Sequence, residues 1–214
     1  FFVNTPDINP RHLQNAPRTQ FVIRAALAAT LAGSWGMYSG FELGESAPLP
    51  DSEEYANAEK YELRARDWSR AAHIGAEVAR LNRARRDHPA LQTHLGLTFA
   101  DADNDAVLVF VKATPAFDSV VAVAISLDPW HPQAANFTLD AALWRGFGLA
   151  DGEPLDALEL DAAHAQTWRG HRQYVSLDPH VRPYAIWRLA PSPGAARAAA
   201  PGPDDARRPS GAHG

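Results

Sequence analysis

Residues 106–125 read Ala106-Val-Leu-Val-Phe-Val-Lys-Ala-Thr-Pro-Ala-Phe-Asp-Ser-Val-Val-Ala-Val-Ala-Ile125 and hold two apolar, valine-rich runs, at 106–111 and 120–125. Runs of this length and β-branched content predict strands, because a branched side chain packs well on a pleated surface and is restricted in a helix. Downstream, Pro154 to Leu160, Thr167 to Leu177 and Tyr184 to Leu189 read as shorter strands separated by Gly, Asp and Pro turns. The pattern predicts an antiparallel β-sandwich from about residue 95, in a domain of residues 91–189. From Ala190 to Gly214 the composition is Ala, Pro, Gly, Ser and Arg with no apolar period, so residues 190–214 read as a disordered tail.

Upstream of His88-Pro89 the texture is different. Thr19 to Ala32 is apolar nearly all round, with Arg24 its lone charge, and predicts a largely buried helix that Gly33 and Ser34 end. Phe1-Phe2-Val3 reads as the end of a buried parallel strand, and Trp35 to Gly40 as another short strand leading into a Gly-containing loop. Strand, helix, strand is the βαβ unit of a parallel sheet. Phe41 to Arg70 is polar and irregular, long for a connection and therefore suspected of a function. A second helix is expected from about Ala71 to Asp87, with Ile74, Val78 and Leu81 inward and Arg80, Arg83, Arg85 and Arg86 on its solvated side.

The apolar run at the start stops at Asn4, and Thr5-Pro6-Asp7 follows. The carboxyl end of a parallel strand is where α/β barrels place catalytic groups, so Asp7 is the first candidate; an ordinary Thr-Pro-Asp turn is the other reading. The chain begins inside this apparent strand and its single methionine is Met37, so it reads as a piece that has lost its front. A formal net charge of −5 argues against a nucleic-acid partner, and no charge-free run is long enough to span a bilayer. Without cysteine there are no disulfides or thiolate metal sites, and the nine histidines show no helical ligand spacing, so neither metal nor cofactor is expected.

Several motifs together carry a family resemblance. Phe1-Phe-Val-Asn-Thr-Pro-Asp7, Ala25-Ala-Leu-Ala-Ala-Thr-Leu31, Trp35-Gly-Met-Tyr-Ser-Gly-Phe-Glu-Leu43, Glu53-Glu-Tyr55 and Glu59-Lys-Tyr-Glu62 resemble the C-terminal part of the bacterial α-1,4-glucan:maltose-1-phosphate maltosyltransferases, within the α-amylase superfamily. Leu81-Asn82-Arg83, Pro89-Ala-Leu-Gln92, Ser126-Leu-Asp-Pro129 and Tyr184-Ala-Ile-Trp-Arg188 continue it. The Asn-Thr-Pro-Asp form points to the maltosyltransferase branch. Ala58 stands where a Ser is expected and Asn9 where an apolar residue is usual.

The resemblance implies that residues 1–90 are the last two βα units of a (β/α)₈ TIM barrel. It implies a retaining transfer of maltosyl units from α-maltose 1-phosphate to an α-1,4-glucan acceptor with release of phosphate, in a cytoplasmic homodimer. Retention needs a nucleophilic carboxylate and an acid/base carboxyl about 5 Å apart. In the family both lie upstream of Phe1, so residues 1–214 alone are expected to be inactive. Asp7 matches the family's transition-state-stabilising carboxylate, and Lys60 and Tyr61 match the pair that holds the donor's maltosyl unit.

Blander readings stand beside these. On composition Lys60 is a solvated loop lysine, and Glu42, Glu45, Glu53, Glu54, Glu59 and Glu62 cap helices and solubilise the long loop. Trp130, Trp144, Trp168 and Trp187 are a sugar-stacking platform or, for most of them, core. A hydrolase or other transglycosylase of the superfamily, or a non-catalytic glucan-binding piece, remain alternatives.

Overall fold

The computed structural model describes residues 1–56, 58–59, 63–70, 72–160 and 165–197. Among them three layers stack: two helices, a six-stranded antiparallel sheet and a three-stranded antiparallel sheet. The valine-rich runs form the hairpin of β3 (Val107–Ala113) and β4 (Val120–Ser126), paired from Val107 opposite Ser126 to Ala113 opposite Val120. The six-stranded sheet runs β1 (Leu97–Phe99), β3, β4, β9 (Tyr184–Pro191), β6 (Leu155–Glu159), β7 (Ala165–Trp168). The other sheet runs β2 (Asp101–Ala102), β5 (Gln133–Thr138), β8 (Arg172–Leu177).

Strand β4 is buried along its whole length because both of its faces are covered. Val121, Val123 and Ile125 pack into the core beneath the helices, and Ala122 and Ala124 into the core between the sheets. A strand buried on both sides has no solvated face on which to alternate, hence its unbroken apolar sequence. The core between the sheets takes Trp144, Trp168 and Trp187, with Trp168 edge-on to Trp187 at 5.3 Å. Those three tryptophans are core filler; Trp130 is exposed.

Helix α1 (Arg18–Leu31) is buried on most of its circumference, in keeping with its sequence. Helix α2 (Gly75–Asp87) begins later than the expected Ala71, because His73 and Ile74 are engaged otherwise: the Gly75 N–H donates to His73 Nδ1 (3.1 Å) and the Ile74 N–H to the Glu42 carbonyl (2.7 Å). Trp35 to Gly40 is not a full strand. It makes one parallel bridge, Gly36 with Phe2, and then turns away as the Tyr38 N–H goes to the Asn4 side chain. The single strand expected over Thr167 to Leu177 is two strands in different sheets, broken at Gly170, whose φ of 66° and hydrogen bond to the Gly152 carbonyl turn the chain. A short helix α3 (Ala142–Phe147) and strands β1, β2 and β5 carry too little periodic signal to have been expected.

Residues 190–197, expected to belong to a disordered tail, are held in place. Strand β9 continues to Pro191, and Ala196 is tied back through the Ala150 N–H (3.0 Å) and the Glu153 carboxylate (3.0 Å). Backbone pairing with the β6 edge and its preceding loop holds a segment that has little apolar content of its own. Residues 198–214 lie outside the described residues.

A pair of cations joins the layers. Helix α1 has no basic residue in its last turn, and its final carbonyls need donors from elsewhere. Arg85, expected on the solvated side of α2, turns inward instead: its guanidinium reaches the carbonyls of Ala29 (2.5 Å), Ala32 (2.8 Å), Gly33 (2.5 Å) and Leu91 (2.7 Å). Lys112 of β3, 0% exposed, donates to Thr30 and Leu31 (3.2 Å each) and to Thr93. Burial, with the like charge of Arg85 behind it, holds the Lys112 ammonium down to about 8, while three carbonyls take its three donors. Lys112→Met keeps the volume and strips those carbonyls of their partner. We expect it to lower unfolding free energy by about 3 kcal/mol or more, since each buried group left unsatisfied costs about 1–3 kcal/mol. Urea denaturation reads the effect; an unchanged midpoint would mean that the clamp contributes nothing.

Candidate functional site

The candidate site is built where the first segment, the 35–38 segment and the long loop meet. The Val3 N–H donates to the Gly36 carbonyl (3.0 Å) and the Gly36 N–H to the Phe1 carbonyl (2.9 Å), which sets the two segments side by side and parallel. Arg24 of α1 braces the first from behind, its guanidinium on the carbonyls of Phe2 (2.9 Å) and Val3 (3.3 Å). That use explains the one charge in the apolar stretch after Thr19.

Asn4 follows, buried, with both ends of its amide engaged. Its Nδ2 donates to Tyr55 Oη (2.6 Å) and its Oδ1 accepts from the Tyr38 N–H (2.8 Å). One side chain thus ties three segments that are far apart in sequence. Burial pushes the Tyr55 phenol up, against the opposing pull of the Asn4 hydrogen bond, so it stays a neutral phenol.

Residues 5–8 form a tight turn. Thr5 and Ile8 exchange backbone hydrogen bonds (3.1 and 3.2 Å), and the Ile8 N–H also meets Thr5 Oγ1 (3.0 Å). Asp7 sits at the exposed tip. Asn9 closes the far side, fully buried, its N–H on the Glu53 carbonyl (2.5 Å) and its Nδ2 on the Ser46 carbonyl (2.8 Å). An apolar residue at position 9 could not supply the second of these bonds. Asp7 is therefore displayed on a turn bracketed by two buried asparagines, which fix the backbone on either side of it.

The long loop is held by charge. Arg66 is almost wholly buried, its Nε on Glu45 (3.2 Å) and its Nη1 on Glu59 (2.7 Å), with the guanidinium over the Tyr38 ring at 5.8 Å. Arg64 adds a longer contact to Glu45 (3.5 Å), and the Glu59 N–H donates to Tyr38 Oη (2.7 Å). Glu45, half-buried, and Glu59, exposed, thus hold Arg66 by ion pairs in addition to solubilising the loop. Lys60 and Tyr61 lie outside the described residues; Glu59, directly before them, is anchored to Tyr38 and through it to Asn4. Tyr38, Tyr55 and Arg66 are not singled out by the sequence, and Asn4 and Asn9 are named there without a role. The signal that could have found them is a polar residue on either side of a turn in an otherwise apolar stretch.

Among the described residues no helix is long and apolar enough to cross a membrane. Residues 99–189 match the family described as GLGE, C-terminal. The chain is 76% identical over 97% of its length to the α-1,4-glucan:maltose-1-phosphate maltosyltransferase of Burkholderia pseudomallei, and 51% identical over 88% to that of Pseudomonas aeruginosa. It spans only 18% and 28% of the lengths of these two relatives. Two solved structures share the fold. The α-amylase of Geobacillus thermoleovorans complexed with acarbose aligns with 90% of this chain and 39% of its own, at TM-score 0.59 and 15% identity. AmyP in complex with maltose aligns with 87% of this chain and 40% of its own, at TM-score 0.57 and 14% identity. The likeness is one of fold, and in this chain it includes the two facing antiparallel sheets of a β-sandwich.

Proposed function

This chain belongs to the α-1,4-glucan:maltose-1-phosphate maltosyltransferase family as a C-terminal part of such a protein, and from that premise we propose that it serves maltosyl transfer from α-maltose 1-phosphate to the non-reducing end of an α-1,4-glucan. The observation that carries this is 76% identity across 97% of the chain.

Residues 1–90 supply the last two βα units of the catalytic barrel, and residues 91–189 the C-terminal sandwich. The parallel bridge of Phe2 with Gly36, with α1 lying between them in sequence, supports the barrel assignment, and so do the exposed rings of Phe1 and Phe2, where neighbouring barrel strands would pack. Asp7 accepts hydrogen bonds from sugar hydroxyls as positive charge develops on the ring, and Lys60 and Tyr61 hold the maltosyl unit of the donor. The nucleophile and acid/base come from upstream residues, and the protein works as a cytoplasmic homodimer.

The test is steady-state kinetics of the full-length enzyme, reading phosphate release and chain elongation of glycogen. If Lys60 grips the donor equally in ground and transition states, Lys60→Ala should chiefly raise the donor KM, by the equivalent of about 1.5–3 kcal/mol for a hydrogen bond to a charged group. An unaltered donor KM would return Lys60 to the role of a solvated loop lysine. Failure of the wild-type enzyme to use maltose 1-phosphate would end the whole reading.

A further inference from the structure

Just before β8, the ring of His171 sits where three segments of the sandwich meet. Its Nδ1 lies 3.0 Å from the Leu139 carbonyl, at the end of β5, and its Nε2 lies 3.1 Å from Asp151 Oδ1, in the loop after α3. Trp144 of α3 packs against the ring, with 4.4 Å between centroids. Both ring nitrogens thus face acceptors. A neutral imidazole carries one N–H and can satisfy only one of them, whereas the imidazolium carries two and satisfies both. The neighbouring indole also favours the cation.

The loop that carries Asp151 in turn holds the 195–197 strap. The Ala150 N–H donates to the Ala196 carbonyl (3.0 Å), the Ala196 N–H donates to the Glu153 carboxylate (3.0 Å), and Leu149 makes an antiparallel bridge with Arg197. The charged groups that face His171 are Asp151 from this loop and Asp140 from the turn before α3, both acidic. Arg145 of α3 turns to Asp140 (4.0 Å), and Arg172, the next residue of β8, turns to Asp103 (3.7 Å). The hydrogen bond to the Leu139 carbonyl, followed by the pair with Asp151, raises the His171 pKa above its ordinary value against the opposing effect of burial.

We propose that His171 is a proton-operated latch: as the imidazolium it ties the Leu139 end of β5 to Asp151 and, through the 149–153 loop, secures the 195–197 strap, and on losing its proton it releases the loop. The Asp151 contact is the one that opens, because Asp151 is exposed and can turn to water while the Leu139 carbonyl is fixed in the backbone. Since the folded protein raises the pKa of this group, the stability it contributes is fully present below about 6.5 and is lost as pH rises through the raised value. The latch therefore holds on the acid side of neutrality and loosens on the alkaline side.

Hydrogen exchange in the full-length protein, read by mass spectrometry, tests this with two measurements. Exchange at the imidazole C2 of His171 across pH gives its titration, which should have a midpoint above about 6.5 in the wild type and a lower one in Asp151→Ala. Asp151 is exposed, so folding is not at stake in that variant. Backbone amide exchange around Ala150 and Ala196 is then compared between the two proteins at equal pH, where intrinsic rates cancel. Asp151→Ala should exchange about two- to fivefold faster than wild type near pH 5.5, and the ratio should fall to about one by pH 9. A wild-type midpoint at or below the ordinary histidine value, or a ratio that does not change with pH, would overturn the proposal. Faster exchange spread equally over β4 would overturn it as well, since the effect would then be one of global stability and not of a local latch. Neither measurement involves sugar or turnover, so the outcome is independent of the maltosyltransferase reading.

Discussion

Purified residues 1–214, incubated with α-maltose 1-phosphate and glycogen, are expected to release no phosphate above the blank. Retaining transfer proceeds through a covalent glycosyl-enzyme, and its rate depends on an attacking carboxylate and a second carboxyl that protonates the leaving oxygen. In the proposed assignment both come from upstream, and this chain contributes a stabilising carboxylate and part of a pocket. A stabiliser lowers a barrier only for a reaction that has a nucleophile. Adding the upstream polypeptide should restore turnover if the two parts associate through the exposed Phe1 and Phe2 surface. Phosphate release by the 214-residue chain alone, surviving a second purification, would place the nucleophile within it and would require another carboxylate to be assigned.

The second large effect is expected at Asp7 in the full-length enzyme. Asp7→Asn should lower kcat and kcat/KM together, by about a hundredfold or more, with little change in donor affinity. The physical ground is that the charge Asp7 answers exists mainly in the transition state. The turn should survive the substitution. Its backbone is held by the exchange between Thr5 and Ile8, by Thr5 Oγ1 and by the two flanking asparagines. Circular dichroism and an unchanged unfolding midpoint would confirm that the loss is catalytic. Wild-type kcat in Asp7→Asn would refute the assignment, and a raised donor KM at unchanged kcat would move Asp7 to a ground-state binding role.

The Lys60→Ala phenotype should differ in kind from that of Asp7→Asn, affecting KM rather than kcat. The contrast between the two variants is therefore more telling than either alone.

The elements legible from sequence were those whose pattern is local. The valine-rich runs became β3 and β4, and the apolar segment after Thr19 became α1, because each is buried along its length and a buried element writes its burial into consecutive residues. The resemblance added the role of Asp7, which no period or composition could supply. Boundaries were less legible where a side chain competed with the backbone: His73 delays α2, and Gly170 splits one expected strand into two. Residues 190–197 are held by β6 and by a distant loop, which composition does not register.

By itself, the sequence determined the strand-rich second half, the buried first helix and the candidate carboxylate, since these follow from hydrophobic period and from a motif read in place. Only the tertiary structure decided which polar residues are structural. Arg85 looks like a solvated helix arginine and is turned onto the end of α1; Lys112 lies in a strand and does the same from the opposite layer; Asn4 meets Tyr55 across 51 positions. Such contacts join carbonyls and amides that lie far apart along the chain. No local period announces them, because what selects them is the cost of leaving a buried polar group without a partner, and that cost is incurred only when the layers close.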